Sequence, residues 1–217
     1  MNGFIEPPHR IPLFLRLGIW FAEKSTGKKM LPARLLSWVP RTALGSGILE
    51  ALVVHKDRTI SQRLLKLVRI QTSFIVSCPF CIDMNGLGYA EQGISEEEIL
   101  ALRDIKPITE VTSLNERELT ALAYVRLLSQ TPILFSERFL ERLKKAFDDR
   151  EIVILATTIA QVNYWARLIQ GLGIPPAGFS SHCDILALDS YRTLKQENQP
   201  GGKPSAETSI LKEDHER

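Results

Sequence analysis

The sequence has few features of a secreted, membrane-spanning or nucleic-acid-binding protein. Its 217 residues include only three cysteines, an odd number and too few for a disulfide framework, so we expect free thiols and a cytoplasmic location. The formal net charge of +2 gives no strong attraction to nucleic acid or to an anionic membrane. The N-terminal apolar run, 11–22, is too short to span a bilayer and is not followed by a cleavage site, so it predicts an amphipathic helix.

Patterns of metal sites and β-strands are also missing. A second Cys-x-x-Cys or a paired-His motif would be needed to complete a zinc site, and the sequence has neither. His182 beside Cys183 is the one further candidate for a ligand, so we expect no metal site. Convincing alternating strands do not occur, whereas helical periodicity recurs along the chain. With 44% hydrophobic and 24% charged residues, the sequence predicts one all-α domain with a good-sized core.

The helical pattern divides the chain into three parts. N-terminal helices over 1–58 are expected to pack on a helical core over 59–198, and the Pro-, Gly-, Ser- and charge-rich stretch 199–217 is expected to be a disordered tail. The expected helices cover 12–24, 31–39, 42 or 46 to 56, 61–77, a helix from 78, a helix from 95, 113–129, 136–147, 150–171 and 181–197.

Local signals fix several of these helix ends. Pro40 is expected to end the second helix, because proline breaks the hydrogen-bond ladder of a helix interior. The expected N-terminal caps and capping boxes are Thr42 or Ser46, Ser95 with Glu98, and Ser113 with Glu116.

The most informative stretch that is present is Cys78-Pro79-Phe80-Cys81. Two thiols at this spacing form a small, reducible disulfide, in which one thiol attacks and the other resolves the adduct. Pro79 suits the first turn of a helix, which places Cys78 near the N-cap and Cys81 in the first turn. The N–H groups and the dipole at that helix end favour a thiolate over a thiol. Residue 85 lies one turn beyond Cys81 on the same face, within reach of its sulfur.

The run from Arg63 to Leu100 resembles the alkylhydroperoxidase D-like, or carboxymuconolactone decarboxylase-like, superfamily. The resemblance rests on Cys-Pro-Phe-Cys-Ile-Asp-Met over 78–84, on the helix before it, and on Tyr-Ala-Glu-Gln-Gly-Ile-Ser-Glu-Glu-Glu-Ile over 89–99. A weaker match covers 151–175. The resemblance implies an all-α helical bundle with extra N-terminal helices here, a homo-oligomer, and reduction of hydroperoxides with electrons from a dithiol donor, without metal or organic cofactor.

Two positions depart from the pattern of that family. Its peroxidase members carry a Glu twelve residues before the first cysteine and a His four residues after the second, and these form a proton relay. This chain has Lys66 and Asn85 at those positions. Asparagine cannot take up a proton at neutral pH, and lysine cannot act as a carboxylate does. The resemblance therefore implies a site of Cys78, Cys81, Asn85 and Lys66, with Cys81 as the candidate nucleophile and Cys78 as the resolving thiol.

Three hypotheses for the function remain open at this point. In the first, which we favour, the protein is an antioxidant-type thiol peroxidase in which Lys66 stabilises a thiolate and Asn85 orients a sulfur, a peroxide or a water. In the second, it exchanges disulfides with a partner protein or a small thiol and has little peroxidase activity. In the third, the relay is lost and the helical oligomer is a catalytically inactive scaffold. Lactone decarboxylation is disfavoured, because the members with that activity generally lack the cysteine pair.

Overall fold

A computed structural model of the chain describes residues 3–53 and 59–180, and within these ranges the fold is entirely helical. The prediction of an all-α fold is confirmed. The predicted helix over 181–197, the tail from 199 and the predicted end of the third helix at 56 lie outside the described residues. The helices are α1 (Leu13–Thr26), α2 (Leu31–Leu36), α3 (Pro40–Val53), α4 (Gln62–Ile75), α5 (Pro79–Gly86), α6 (Glu96–Leu102), α7 (Glu116–Leu128), α8 (Glu137–Ala146) and α9 (Asp149–Gly171).

One predicted capping box is confirmed at α6. The Glu98 N–H donates to Ser95 Oγ at 3.2 Å, and the Ser95 N–H donates to Glu98 Oε2 at 2.8 Å. Each bond satisfies an N–H group that has no partner within a helix, so together they fix where α6 begins.

Pro40 begins α3 and does not end α2, so the prediction at this position is wrong. Helix α2 already ends at Leu36, and Pro40 is the first residue of α3. Its fixed φ suits the first helical turn, where an N–H group is not needed. Because α3 starts here, Thr42 and Ser46 lie inside the helix and do not cap it.

The capping box of α7 lies two residues after the predicted one. Asn115 Oδ1 accepts from the Glu118 N–H at 2.9 Å, and Glu118 Oε2 accepts from the Asn115 N–H at 3.1 Å. Ser113 donates its hydroxyl to Glu98 Oε1 at 2.6 Å instead. Ser113 with Glu116 also has the spacing of a capping box, so the local sequence pattern did not show which of the two boxes begins α7. The contact of Ser113 with Glu98 of α6 decides between them.

Helix α4 lies at the centre of the fold, packed against α5, α7 and α9. Removal of this apolar surface from water is the main force that holds the helices together. Helix α9 is long and apolar enough to cross a membrane, but buried core helices also have this length and composition. The inner face of α9 is buried in the core. The main core consists of Leu64, Leu65 and Val68 from α4, Ala121 and Val125 from α7, and Leu155 and Ile159 from α9, among others.

A cationic side chain on α4 connects the starts of two other helices. Arg63 Nη2 lies 2.5 Å from Glu98 Oε1, and Arg63 Nε lies 2.8 Å from Glu118 Oε1. Burial raises the pKa of Glu98, but hydrogen bonds from Arg63, Ser113 and the Ser95 N–H outweigh it and hold the pKa below its ordinary value. Arg63 therefore ties α6 and α7 to the central helix.

Candidate active site

The turn between α4 and α5 sets the position of the cysteine pair. After α4 ends, Ser77 adopts a left-handed backbone conformation with φ 48°. This reversal lets the Cys78 N–H donate to the Ser73 carbonyl at 3.2 Å and the Ser77 N–H donate to the Phe74 carbonyl at 3.0 Å. Such bonds close the end of a helix and turn the chain sharply. Helix α5 therefore starts directly beside the end of α4.

Cys78 and Cys81 are joined by a disulfide, with their Cα atoms 5.2 Å apart. Cys78 is the N-cap of α5, Pro79 is its first residue, and Cys78 Sγ accepts from the Cys81 N–H at 3.3 Å. The sequence-based placement of both residues at a helix start is thus confirmed. The exposed fractions are 0% for Cys78 and 3% for Cys81, so neither sulfur is open to a large partner.

Cys81 forms part of the wall of a partly enclosed cavity of about 90 Å³. This volume is several times the roughly 10–15 Å³ that one water requires, so a small reactive group fits next to the sulfur. The wall is mainly apolar with a few polar groups, as is typical of small-molecule sites. The other lining residues are Met30, Pro32, Ala33, Glu50, Arg69, Phe80, Met84, Asn85, Val162, Trp165 and Ile169.

Asn85 lies in this cavity with Cys81. Its Nδ2 donates to Ser73 Oγ at 2.9 Å, and the Ser73 hydroxyl in turn donates to the Arg69 carbonyl at 2.8 Å. Ser73 therefore holds both ends of α5, since its carbonyl accepts from the Cys78 N–H. The Asn85 amide is fixed in place at the cavity wall.

Lys66 lies in a different place. It lines a neighbouring groove of about 350 Å³, and its Nζ donates to the Leu87 carbonyl. Burial lowers the pKa of Lys66, the positive charge of Arg69 lowers it further, and Glu91 opposes both effects. The structure thus brings Cys78, Cys81 and Asn85 together, whereas Lys66 lies beyond Arg69, a residue that lines both spaces.

Glu50 is a charged residue of the cavity that the sequence-based search did not identify. It extends from α3, and its Oε2 accepts from Gln161 Nε2 at 2.6 Å and from Trp165 Nε1 at 2.9 Å. Burial lowers the pKa of Arg69, and the negative charge of Glu50 partly restores it, so the two charges interact across the cavity. Glu50 is the one acidic residue of the mainly apolar helix α3. This isolated charge is the feature of the sequence that could have identified it as a candidate site residue.

Asp83 attaches the segment after α9 to the cysteine helix. Its side chain is 1% exposed. Oδ2 accepts from the N–H groups of Ala177 at 3.0 Å, Gly178 at 2.7 Å and Phe179 at 3.0 Å, and Oδ1 accepts from that of Ser180 at 2.8 Å. We call residues 174–180 the C-terminal strap. Because Asp83 is two residues after Cys81, the strap is held against the site itself.

Aromatic packing reinforces this attachment. The Phe179 ring meets the Phe80 ring edge-on, with the centroids 5.8 Å apart. Both belong to a buried cluster with Leu35 of α2, Cys78 and Cys81, and Ile169 of α9. Apolar side chains from four parts of the chain therefore enclose the cysteine pair.

Metal ligands do not cluster within 3–53 and 59–180, where no group of three or more His, Cys, Asp or Glu side chains could hold an ion. His55, His182 and Cys183 lie outside the described residues.

Comparisons with known proteins support the same fold. No protein-family model matches the sequence. The uncharacterized protein YnjA of Escherichia coli (strain K12) is 25% identical over 174 residues, which cover 80% of this chain and 94% of YnjA. The apo structure of the debrominase Bmp8 has a TM-score of 0.71 and 17% identity, covering 86% of this chain and 99% of Bmp8. The alkylhydroperoxidase AhpD core of a peroxidase-related protein from Ralstonia eutropha JMP134 has a TM-score of 0.68 and 15% identity, covering 81% and 93%.

These solved structures confirm the expected fold class. The described part of the chain has the alkylhydroperoxidase D-like fold, with the cysteine pair at the start of a short helix. The resemblance inferred from the residues around Cys78 and Cys81 is therefore confirmed at the level of the fold.

Proposed function

We propose that the protein is a thiol-based oxidoreductase that reduces small organic hydroperoxides through the Cys78–Cys81 pair. The observation that supports this most directly is the position of Cys81 in the wall of a mainly apolar cavity of about 90 Å³. A hydroperoxide with an apolar carbon skeleton fits such a wall, and its O–O group is small enough to approach the sulfur. The burial of both sulfurs favours a small oxidant over a disulfide on a partner protein.

The proposed reaction consumes two thiols for each peroxide. The thiolate of Cys81 attacks the terminal oxygen of the hydroperoxide, so that an S–O bond forms, the O–O bond breaks and an alcohol leaves after taking up a proton. The sulfur of Cys78 then attacks the sulfenic acid of Cys81, which forms the disulfide and releases water. A dithiol donor returns the two electrons by thiol–disulfide exchange.

Cys81 is the attacking thiol in this proposal, because Cys81 lines the cavity whereas Cys78 does not and is fully buried. The start of α5 favours the thiolate form, since the positive end of the helix dipole lies there. Asn85 orients the sulfur or the peroxide by hydrogen bonding. Lys66 acts only through its charge, because it lies in the neighbouring groove.

The test is peroxide-driven disulfide formation in the Cys183→Ser variant, which leaves only the pair to react. Reduced protein is mixed with stoichiometric tert-butyl hydroperoxide, quenched with an alkylating agent over seconds, and the peptide with Cys78 and Cys81 is followed by mass spectrometry. We expect both thiols to disappear together, and Cys81→Ser to abolish the reaction. Oxidation no faster than that of a free cysteine would reject the proposal and leave disulfide exchange or a scaffold role.

We also propose that the protein forms a homo-oligomer. Helices α1 and α3 pack against each other, and each carries a row of large apolar side chains that are at least about half exposed. Apolar rows of this kind are typical of interfaces between subunits. The rows consist of Leu13, Leu17 and Trp20 on α1 and of Leu44, Ile48 and Leu52 on α3.

A further inference from the structure

We infer that Glu50 is the proton-transferring group of this site and takes the place of the missing glutamate–histidine relay. The inference rests on the proposed function, since it assigns a step of the same reaction. Lys66 and Asn85 stand where the relay would be, and neither exchanges protons as a carboxylate does. Glu50 is the carboxylate that lines the cavity of Cys81 within the described residues, and it comes from α3, outside the stretch that carries the motif.

Two hydrogen bonds to one oxygen orient the Glu50 carboxylate, and its other oxygen accepts neither of them. Gln161 and Trp165 both donate to Oε2, so the carboxylate is held between two side chains of α9. Its Oε1 has no hydrogen-bond partner in the ranges 3–53 and 59–180. A fixed carboxylate with one oxygen available can take up and release a proton at the wall of the cavity that Cys81 also lines.

Arg69 makes a carboxylate tolerable in these mainly apolar surroundings. An isolated buried charge is costly, whereas a charge that faces an opposite charge is much less so. Arg69 lines the same cavity and interacts electrostatically with Glu50. Arg69 therefore offsets the negative charge that Glu50 places at the cavity wall.

The proposed proton path is balanced. The carboxylate of Glu50 accepts the proton of the Cys81 thiol, which creates the attacking thiolate. When the O–O bond breaks, the protonated Glu50 gives that proton to the departing alkoxide, so that an alcohol leaves and the carboxylate is restored. The proton of Cys78 leaves with the hydroxyl of the sulfenic acid as water. Electrons flow only from sulfur to peroxide, and the dithiol donor replaces them.

The test compares Glu50→Gln with wild type in the tert-butyl hydroperoxide assay from pH 6 to pH 9. Glutamine keeps an oxygen acceptor for Gln161 and Trp165 but cannot carry the proton. At pH 7 we expect a rate about 100-fold lower, the low end for loss of a general acid–base group. The deficit should shrink towards pH 9, because a growing share of the Cys81 thiol then ionises without a base.

Two further variants distinguish proton transfer from a structural role. Glu50→Asp keeps the carboxylate and should recover most of the lost rate, and Glu141→Gln, on the exposed face of α8, should match wild type. A Glu50→Gln rate equal to that of Glu141→Gln, or a deficit that is the same at every pH, would overturn the inference. If wild type itself reacts no faster than a free cysteine, the proposed function fails first and the assignment of Glu50 fails with it.

Discussion

Replacement of Asp83 by asparagine should release the C-terminal strap from the cysteine helix. The carboxylate accepts four backbone N–H groups, three at Oδ2 and one at Oδ1. An asparagine has one carbonyl oxygen, so its amide group must face N–H donors on one side. In its better orientation the oxygen serves Ala177, Gly178 and Phe179, and the amide opposes the N–H of Ser180.

The expected loss of stability follows from this geometry. A hydrogen bond to a charged group contributes about 1.5–3 kcal/mol. Asp83→Asn removes one such bond, weakens three more and places two donors against each other in a buried position, so we expect about 3 kcal/mol of destabilisation. For a chain of this size each kcal/mol lowers Tm by about 2–4 °C, which gives a decrease of about 6–12 °C.

Two assays on the reduced protein measure this effect. Thermal unfolding followed by circular dichroism gives Tm, and the alkylation rate of Cys78 reports whether the strap still covers the site. Asp104→Asn is the matched control, because the ion pair of Asp104 with Arg126 is exposed and contributes no more than about 1 kcal/mol. If Asp83→Asn unfolds within error of Asp104→Asn and Cys78 stays protected, the strap is not held by this carboxylate.

Two further predictions concern the ion network and the oligomer. Arg63→Met leaves two buried carboxylates without their cation and should cost about 3 kcal/mol at pH 7, measured by urea unfolding. Because Arg63 depresses the pKa of Glu98 below its ordinary value of 4.5, this stabilisation is present above that pH and is lost as the pH falls further. If the difference in unfolding free energy between wild type and Arg63→Met were the same at pH 7 and at pH 3, this role of Arg63 would be contradicted. In sedimentation, Leu17→Glu should dissociate the oligomer, whereas Leu134→Glu, at a site 68% exposed outside α1 and α3, should not. Equal masses for both variants would place the interface elsewhere.

The fold was predictable from sequence because local rules govern helices. Periodicity predicted the helices, and the Ser95 capping box and the helix start at Cys78 were found correctly. Errors arose where two local patterns competed. Near α7, two residues in sequence separate two valid capping boxes, and only the contact of Ser113 with Glu98 decides between them.

The site was less predictable because half of it is assembled by long-range contacts. Cys81 and Asn85 share one short helix, so their spacing reveals their proximity. Glu50 meets Gln161 and Trp165 across 111 and 115 positions, a separation that no local motif encodes. Asp83 was identified only as part of the motif, and its role as an acceptor for the strap depends on a segment more than 90 positions away.

The cavity wall has a consequence for how such a protein could diversify. The cysteine pair lies at the start of α5, whereas Met30, Pro32, Ala33 and Glu50 come from α2, α3 and the residue before α2. The cysteine pair and one side of the cavity wall therefore come from separate stretches of the sequence. Substitutions at Met30 and in α2 would reshape the cavity while the dithiol remains untouched, and a chain shortened to begin at α4 would retain its cysteines but lose one side of the cavity wall.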